Sequence, residues 1–175
     1  MDADMAKLTI DKVAKMESGN NWVMGKRNED GNLAKGSIAA TLVNDTSGKS
    51  MAVFEHNKGE NKTFSVHCAK PIFSEHGVDT GNSKWEPITK PSVKKDNEGN
   101  IVRNEKGEPE MGTKWDKTTS LESAMAKAES YNRGIMFTNA FNEARVELKM
   151  AKENAVEKAP EKAPEKTQNR STNLV

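Results

Sequence analysis

The chain has 175 residues, of which 34% are hydrophobic, 30% are charged and 5% are aromatic. Its 27 basic and 26 acidic residues leave a net charge of +1, so the composition lacks the basic surplus that usually displaces counterions from nucleic acid. One cysteine excludes an intrachain disulfide, and no apolar run reaches the roughly 18–20 residues that span a bilayer. The acidic first twenty residues do not resemble a secretory signal, so we expect a cytoplasmic protein without a membrane segment.

The N-terminal region predicts one ambiguous element and then a short strand. Residues 5–16 suit a strand around Thr9, although Met5 and Val13 also fit helical spacing. A turn-forming cluster follows at 18–21, and the apolar run after it, 22–24, predicts an edge strand.

The clearest strand pattern lies in the next segment. Three runs, at 37–43, 50–56 and 63–69, alternate apolar and polar residues and are separated by clusters of turn-forming residues. The links of five or six residues are too short for a parallel crossover. The runs therefore predict an antiparallel meander.

Residues 74–117 lack a regular pattern and contain many glycines, prolines and charges of both signs. Two turn clusters flank the short apolar pair 101–102, which favours an exposed hairpin or a mobile insertion. Trp85 and Trp115 are expected to hold the two ends of this insertion to the core.

Helical patterns return after residue 118. Thr119 and Glu122 match a capping box, and Gly134 is expected to break or kink the run. Beyond it a stripe repeats at helical spacing, consisting of Phe137, Ala140, Phe141, Ala144 and Leu148. Four further apolar residues, Ile135, Met136, Val146 and Met150, lie outside that stripe, which predicts a helix that is either deeply packed or contacts a partner.

The last segment differs in composition from the rest. A repeat of Glu, Lys, Ala and Pro occupies 157–166, where proline opposes helix formation and no residue larger than alanine supplies apolar surface. The sequence therefore predicts a single α+β domain at 5–150, with the meander packed against C-terminal helices, and a disordered tail at 151–175.

The only cysteine lies beside a histidine, but neighbours on a strand point to opposite faces. We therefore expect Cys68 in the core and His67 on an open outward face, with no reactive pair between them. A thiol-dependent enzyme that pairs Cys68 with His56 is an alternative hypothesis. The histidine spacing matches no zinc-ligand pattern, so the sequence predicts no catalytic residue, no metal and no cofactor.

Two binding hypotheses remain. The leading one is a small intracellular, non-enzymatic binding or accessory protein that contacts a protein partner through Trp85, Trp115, Ile135, Met136, Val146 and Met150. The alternative is a single-stranded nucleic-acid-binding protein, in which sheet aromatics stack on bases and lysines follow the backbone. Its predicted contact residues are Trp22, Lys26, Arg27, Phe54, Lys58, Lys62 and His67.

Overall fold

The computed structural model describes residues 2–174, with side chains described as far as residue 156. Most of the predicted tail, 157–175, therefore lies outside the residues whose surroundings can be described. The chain divides into two compact units, one formed by Met1–Met16 with Gly134–Val175 and the other by Glu17–Arg133.

The ambiguous first segment is a helix, α1 (Ala3–Glu17). The side chain of Asp2 caps its first turn, because Oδ1 accepts a hydrogen bond from the Met5 amide at 2.7 Å. Its buried residues are Met5, Thr9 and Val13, which lie four residues apart on one helical face. The helical spacing of Met5 and Val13 therefore predicts the structure of this segment correctly, and the strand pattern around Thr9 does not.

The main sheet is an antiparallel meander, as the sequence predicts. Its neighbouring strands follow the chain: β1 (Asn20–Met24), β2 (Ile38–Asn44), β3 (Gly48–Lys58), β4 (Asn61–Phe73) and β5 (Asp79–Pro87). The predicted edge strand and the three predicted runs correspond to β1, β2, β3 and β4. The α+β class, with a meander that packs against a C-terminal helix, is confirmed.

The segment that lacked a pattern also forms strands. Besides β5 it contains β6 (Thr89–Val93) and β7 (Met111–Trp115), which pair with each other in a second, two-stranded sheet. Two isolated bridges, Lys95 to Ile101 and Arg103 to Pro109, close two separate short hairpins between β6 and β7. β8 (Lys117–Thr118) then returns to the main sheet beside β4.

Four hairpin turns of this unit share one pattern of hydrogen bonds. They occupy residues 28–32, 74–78, 96–100 and 104–108, with glycine at the fourth position in a left-handed conformation. In the turn at 96–100, the Asp96 amide donates to the Asn100 carbonyl and Asp96 Oδ1 accepts from the Asn100 amide at 2.9 Å. The side chains of Asn28, Ser74 and Asn104 accept the equivalent bond. A short polar residue followed three positions later by glycine therefore closes each hairpin.

The core lies between one face of the main sheet and the first turns of α2 (Leu121–Leu174). Leu42, Met51, Val53 and Val66 supply the largest buried side chains of the sheet. Two alanines of α2, Ala124 and Ala128, face them and are also fully buried. Because alanine is small, the helix backbone can approach the sheet closely at these two turns.

The opposite face of the sheet is not open, and this corrects the prediction for its third strand. His67 is 5% exposed, although it was expected on an open outward face, and Ser65 beside it is 1% exposed. Two small residues on the same side, Ala39 and Ala52, are also buried. Both faces of the sheet centre are therefore covered, so the outward contact surface proposed for His67 does not exist.

Helix α2 begins at Leu121, one residue later than a cap at Thr119 would place it. It also continues through Gly134, where the sequence predicted a break or kink. Its cap is Ser120, whose Oγ accepts a hydrogen bond from the Ser123 amide at 3.1 Å. Gly134 lies inside the helix, and its carbonyl accepts a bond from Thr138 Oγ1 at 3.1 Å. A single glycine weakens a helix by only about 1 kcal/mol, which the surrounding turns tolerate. Residues 151–156, the start of the predicted tail, also belong to α2.

In the unit that contains α1, Met136, Ala140 and Ala144 form the buried stripe of α2. Lys12 of α1 lies 2.8 Å from Glu147 and 3.9 Å from Glu143, which places it beside this stripe. Met136 was predicted to lie outside the stripe as a partner contact. It is buried, so it adds no exposed surface to the predicted contact residues.

Candidate functional site

Three polar side chains form a chain on the second face of the sheet. His56 Nε2 lies 2.6 Å from Ser65 Oγ, and the same oxygen lies 2.8 Å from His67 Nε2. A hydroxyl has one proton, so Ser65 donates to one imidazole and accepts from the other when both rings are neutral. Because the two histidines share this hydroxyl, the tautomer of one determines the tautomer of the other.

Aromatic rings surround this chain. The Phe54 ring centroid lies 4.1 Å from that of His67, and Trp115 meets the His67 ring edge-on at 5.2 Å. Burial, together with the nearby His56, lowers the pKa of His67 to about 4. Burial and the charge of Lys117 also lower the pKa of His56. Both rings are therefore neutral at pH 7.

The chemistry of this histidine–serine chain is limited by access. A serine nucleophile needs an adjacent base and must also reach its substrate, but Ser65 is almost completely covered. The arrangement instead satisfies buried polar groups among aromatic rings. Trp115 was expected to hold the insertion to the core, and its contacts with His56 and His67 join β7 to the main sheet.

The structure separates the two residues of the thiol hypothesis. His56 pairs with Thr63 and Cys68 pairs with Met51, so they lie at different rungs and on opposite faces of the sheet. Cys68 is half-buried against the core, and burial raises the pKa of its thiol. A raised pKa keeps the thiol protonated, which disfavours nucleophilic attack.

A second polar cluster surrounds Glu55, whose side chain is only 2% exposed. Arg27 Nη2 lies 2.8 Å from its Oε1, and Lys62 Nζ lies 3.8 Å from its Oε2. The bonded carboxylate raises the pKa of Arg27. The two basic residues therefore neutralise a buried acid, and Arg27 has little freedom to contact a ligand.

The residues predicted to contact nucleic acid do not share one surface. Trp22 faces the core side of the sheet, where its Nε1 donates to Glu129 at 2.7 Å, whereas Phe54 packs on the other side. Arg27 and Lys62 are engaged by Glu55, and His67 is buried. Lys26 and Lys58 are exposed, but the predicted aromatic residues Trp22 and Phe54 are both half-buried.

A polar cleft of about 360 Å³ lies beside Trp22. Its lining residues are Glu17, Asn20, Asn21, Trp22, Leu42, Glu129 and Arg133. Much of the polar lining is paired internally, since Arg133 Nε donates to Glu17 at 2.6 Å and Trp22 donates to Glu129. In the described residues, no group of three or more acidic, histidine or cysteine side chains could hold a metal ion.

Most of the predicted partner contacts are accessible. Ile135, Val146, Met150 and Trp115 are exposed, Trp85 is half-buried in β5, and Met136 is buried as described above.

Sequence reasoning missed a second exposed apolar group, Ile72, Phe73 and Val78, at the end of the β4–β5 hairpin. The turn signal at 74–78 between two strands could have revealed it, because residues that flank a projecting turn are poorly covered.

No protein-family model, curated protein or solved structure matches this chain. None of the described helices combines the length and the apolar composition needed to cross a membrane.

Proposed function

We propose that this chain is a non-enzymatic binding or accessory protein of the cytoplasm that acts through contacts with another protein. The observation that supports this proposal is the exposed end of the β4–β5 hairpin. Lys70 pairs with Lys84 and Phe73 pairs with Asp79, yet every residue from 70 to 84 is exposed.

Three exposed apolar side chains lie at that end. Phe73 is 58% exposed and Val78 is 64% exposed, and Ile72 is exposed beside them. They flank the turn at 74–78, where the Ser74 amide bonds to the Val78 carbonyl and holds the tip in shape. Apolar groups concentrated on an ordered projection are typical of a protein-contact site.

The direct test uses a photo-crosslinking amino acid. We would replace Phe73 with p-benzoylphenylalanine in the full chain and irradiate the cells that naturally contain the protein. The matched control places the same residue at Asn97, which is also exposed in a hairpin turn. We expect one protein adduct at position 73, several-fold above position 97, and its loss in competition with unmodified chain.

Equal adduct yields at positions 73 and 97 would contradict the proposal. Once the captured protein is identified, Phe73→Ser should abolish its binding to the purified chain. Ser83→Ala, on the same hairpin, should leave that binding intact.

Single-stranded nucleic acid has less support as the partner, because its predicted contact residues lie on different faces of the sheet. A titration of the chain with an oligo-dT at low salt separates the two hypotheses. Quenching of tryptophan fluorescence that weakens steeply with salt would favour nucleic acid over protein as the ligand.

A further inference from the structure

Beyond residue 134, helix α2 carries two apolar rows that face away from each other. Row A consists of Ile135, Val146 and Met150, and row B consists of Phe137, Phe141 and Leu148. At 3.6 residues per turn, each row spans about 40–60° of the helix and their centres lie about 165° apart. The buried stripe of Met136, Ala140 and Ala144 lies between them.

Both rows retain exposed apolar surface. Val146 of row A is 53% exposed and Phe137 of row B is 42% exposed, while Phe141 and Leu148 are half-buried. Helix α1 packs at the intervening stripe, where Lys12 meets Glu147 at 2.8 Å. A helix that is apolar on several sides needs more than one packing partner.

The charges beside the two rows differ in net sign. Helical spacing places Glu143, Lys149 and Glu153 next to row A, for a net charge of −1, and places Arg145 and Lys152 next to row B, for a net charge of +2. All five side chains are exposed. Either row against its own kind would bring like net charges together, whereas row A against row B brings opposite net charges together.

We infer that this part of α2 binds a second copy of the same chain, with row A of one copy on row B of the next. Such a contact is heterologous, because each copy contributes a different surface. Every copy then retains one unused row, so association continues into a ring or a linear chain of molecules. The inference goes beyond the proposed function, since it concerns a separate surface and specifies the partner.

The test measures the average molar mass of the full, purified chain by sedimentation equilibrium over a range of concentrations. Wild-type chain should exceed the monomer mass increasingly as its concentration rises. Val146→Asp disables row A and Phe137→Asp disables row B, so each variant alone should stay monomeric. An equimolar mixture should form a dimer and stop there, since only one competent pair of rows remains.

Other outcomes would overturn the inference. Wild-type chain that stays monomeric at high concentration shows that the rows do not bind each other. Self-association of Phe137→Asp alone indicates a row A to row A contact, and self-association of Val146→Asp alone indicates a row B to row B contact. A mixture that remains monomeric also contradicts a heterologous contact.

Two controls keep the result interpretable. Val78→Asp alters the hairpin surface of the proposed function and should leave self-association unchanged, so the two proposals fail independently. If an aspartate variant loses its helical circular dichroism signal, a second variant is used in its place. This variant carries the two charge reversals Arg145→Glu and Lys152→Glu. That variant leaves both apolar rows intact and should still weaken association at low salt.

Discussion

At the residue scale, His67 shows how neighbours determine the protonation of a side chain. Its ring lies between Phe54 and Trp115, and its Nε2 bonds to a buried serine hydroxyl. Burial disfavours the charged imidazolium, which is why the pKa falls to about 4. The unfolded chain, with an ordinary histidine pKa near 6.5, therefore binds a proton more readily than the folded one does.

This difference predicts that stability falls in mild acid. The contribution of neutral His67 is complete above pH 6.5 and is lost as the pH falls from 6.5 toward 4. The loss should be on the order of 2 kcal/mol in the free energy of unfolding, and His56, with its pKa lowered, adds to it in the same direction. Urea unfolding followed by circular dichroism at several pH values measures it.

The matched variants are His67→Gln and His76→Gln. Glutamine at position 67 can still bond to Ser65 but does not titrate, so the slope between pH 6.5 and 4 should flatten. His76 is exposed in a turn, so His76→Gln controls for the substitution itself. An unaltered slope in His67→Gln would show that other groups cause the acid sensitivity.

A second prediction at this scale concerns the buried carboxylate of Glu55. Arg27→Met should reduce the free energy of unfolding by about 2 kcal/mol, because it leaves a buried charge with only Lys62, at 3.8 Å. Lys62→Met should cost less than about 1 kcal/mol, since Lys62 is more exposed and the Arg27 bonds remain. Equal losses in the two variants, measured by urea unfolding, would contradict this ranking.

At the element scale, two local signals of the sequence predict much of the secondary structure. Period-two alternation predicts β2, β3 and β4, because a strand with one face on the core needs it. The hairpins of residues 74–117 depend instead on turn chemistry. Asp96 with Gly99, and Asn104 with Gly107, close their turns through side-chain and backbone bonds that need no apolar pattern. A search for apolar periodicity alone cannot detect such strands.

The packing of α2 on the sheet gives a prediction for this element. Ala128→Leu should destabilise the chain by about 1–3 kcal/mol, because no space exists for three extra carbons between helix and sheet. Ala126→Leu, on the exposed side of the same turn, should change stability by less than about 0.5 kcal/mol. Thermal unfolding of both variants measures the difference, and similar melting temperatures would exclude close packing at Ala128.

At the scale of the whole molecule, burial is unevenly distributed. The centres of β3 and β4 contain buried residues on both faces. Between β6 and β7, in contrast, every residue from 94 to 109 is exposed except Val102. Local opening of a segment costs little when few apolar groups are buried in it.

Hydrogen exchange followed by mass spectrometry should therefore separate these regions. We expect the slowest amides around Val53 and Val66, with rates that follow global unfolding in urea. Amides at 94–110 should exchange at least tenfold faster, through openings that are insensitive to low urea. Equal protection in the two regions would show that this segment is held by contacts other than its own backbone bonds.

Local patterns in the sequence account for the elements whose causes are local. Alternating residues specified β2, β3 and β4, short polar residues followed by glycine specified the turns, and the apolar repeat specified α2, although its cap is Ser120 and not Thr119. The inward position of Cys68 also followed from the alternation of its strand.

Packing between distant parts of the chain determines which surfaces are covered. His67 is buried because Trp115, from a distant strand, packs against it, and Met136 is buried in the stripe beside which α1 lies. Each outcome depends on residues far apart in the chain, whose meeting no local pattern specifies.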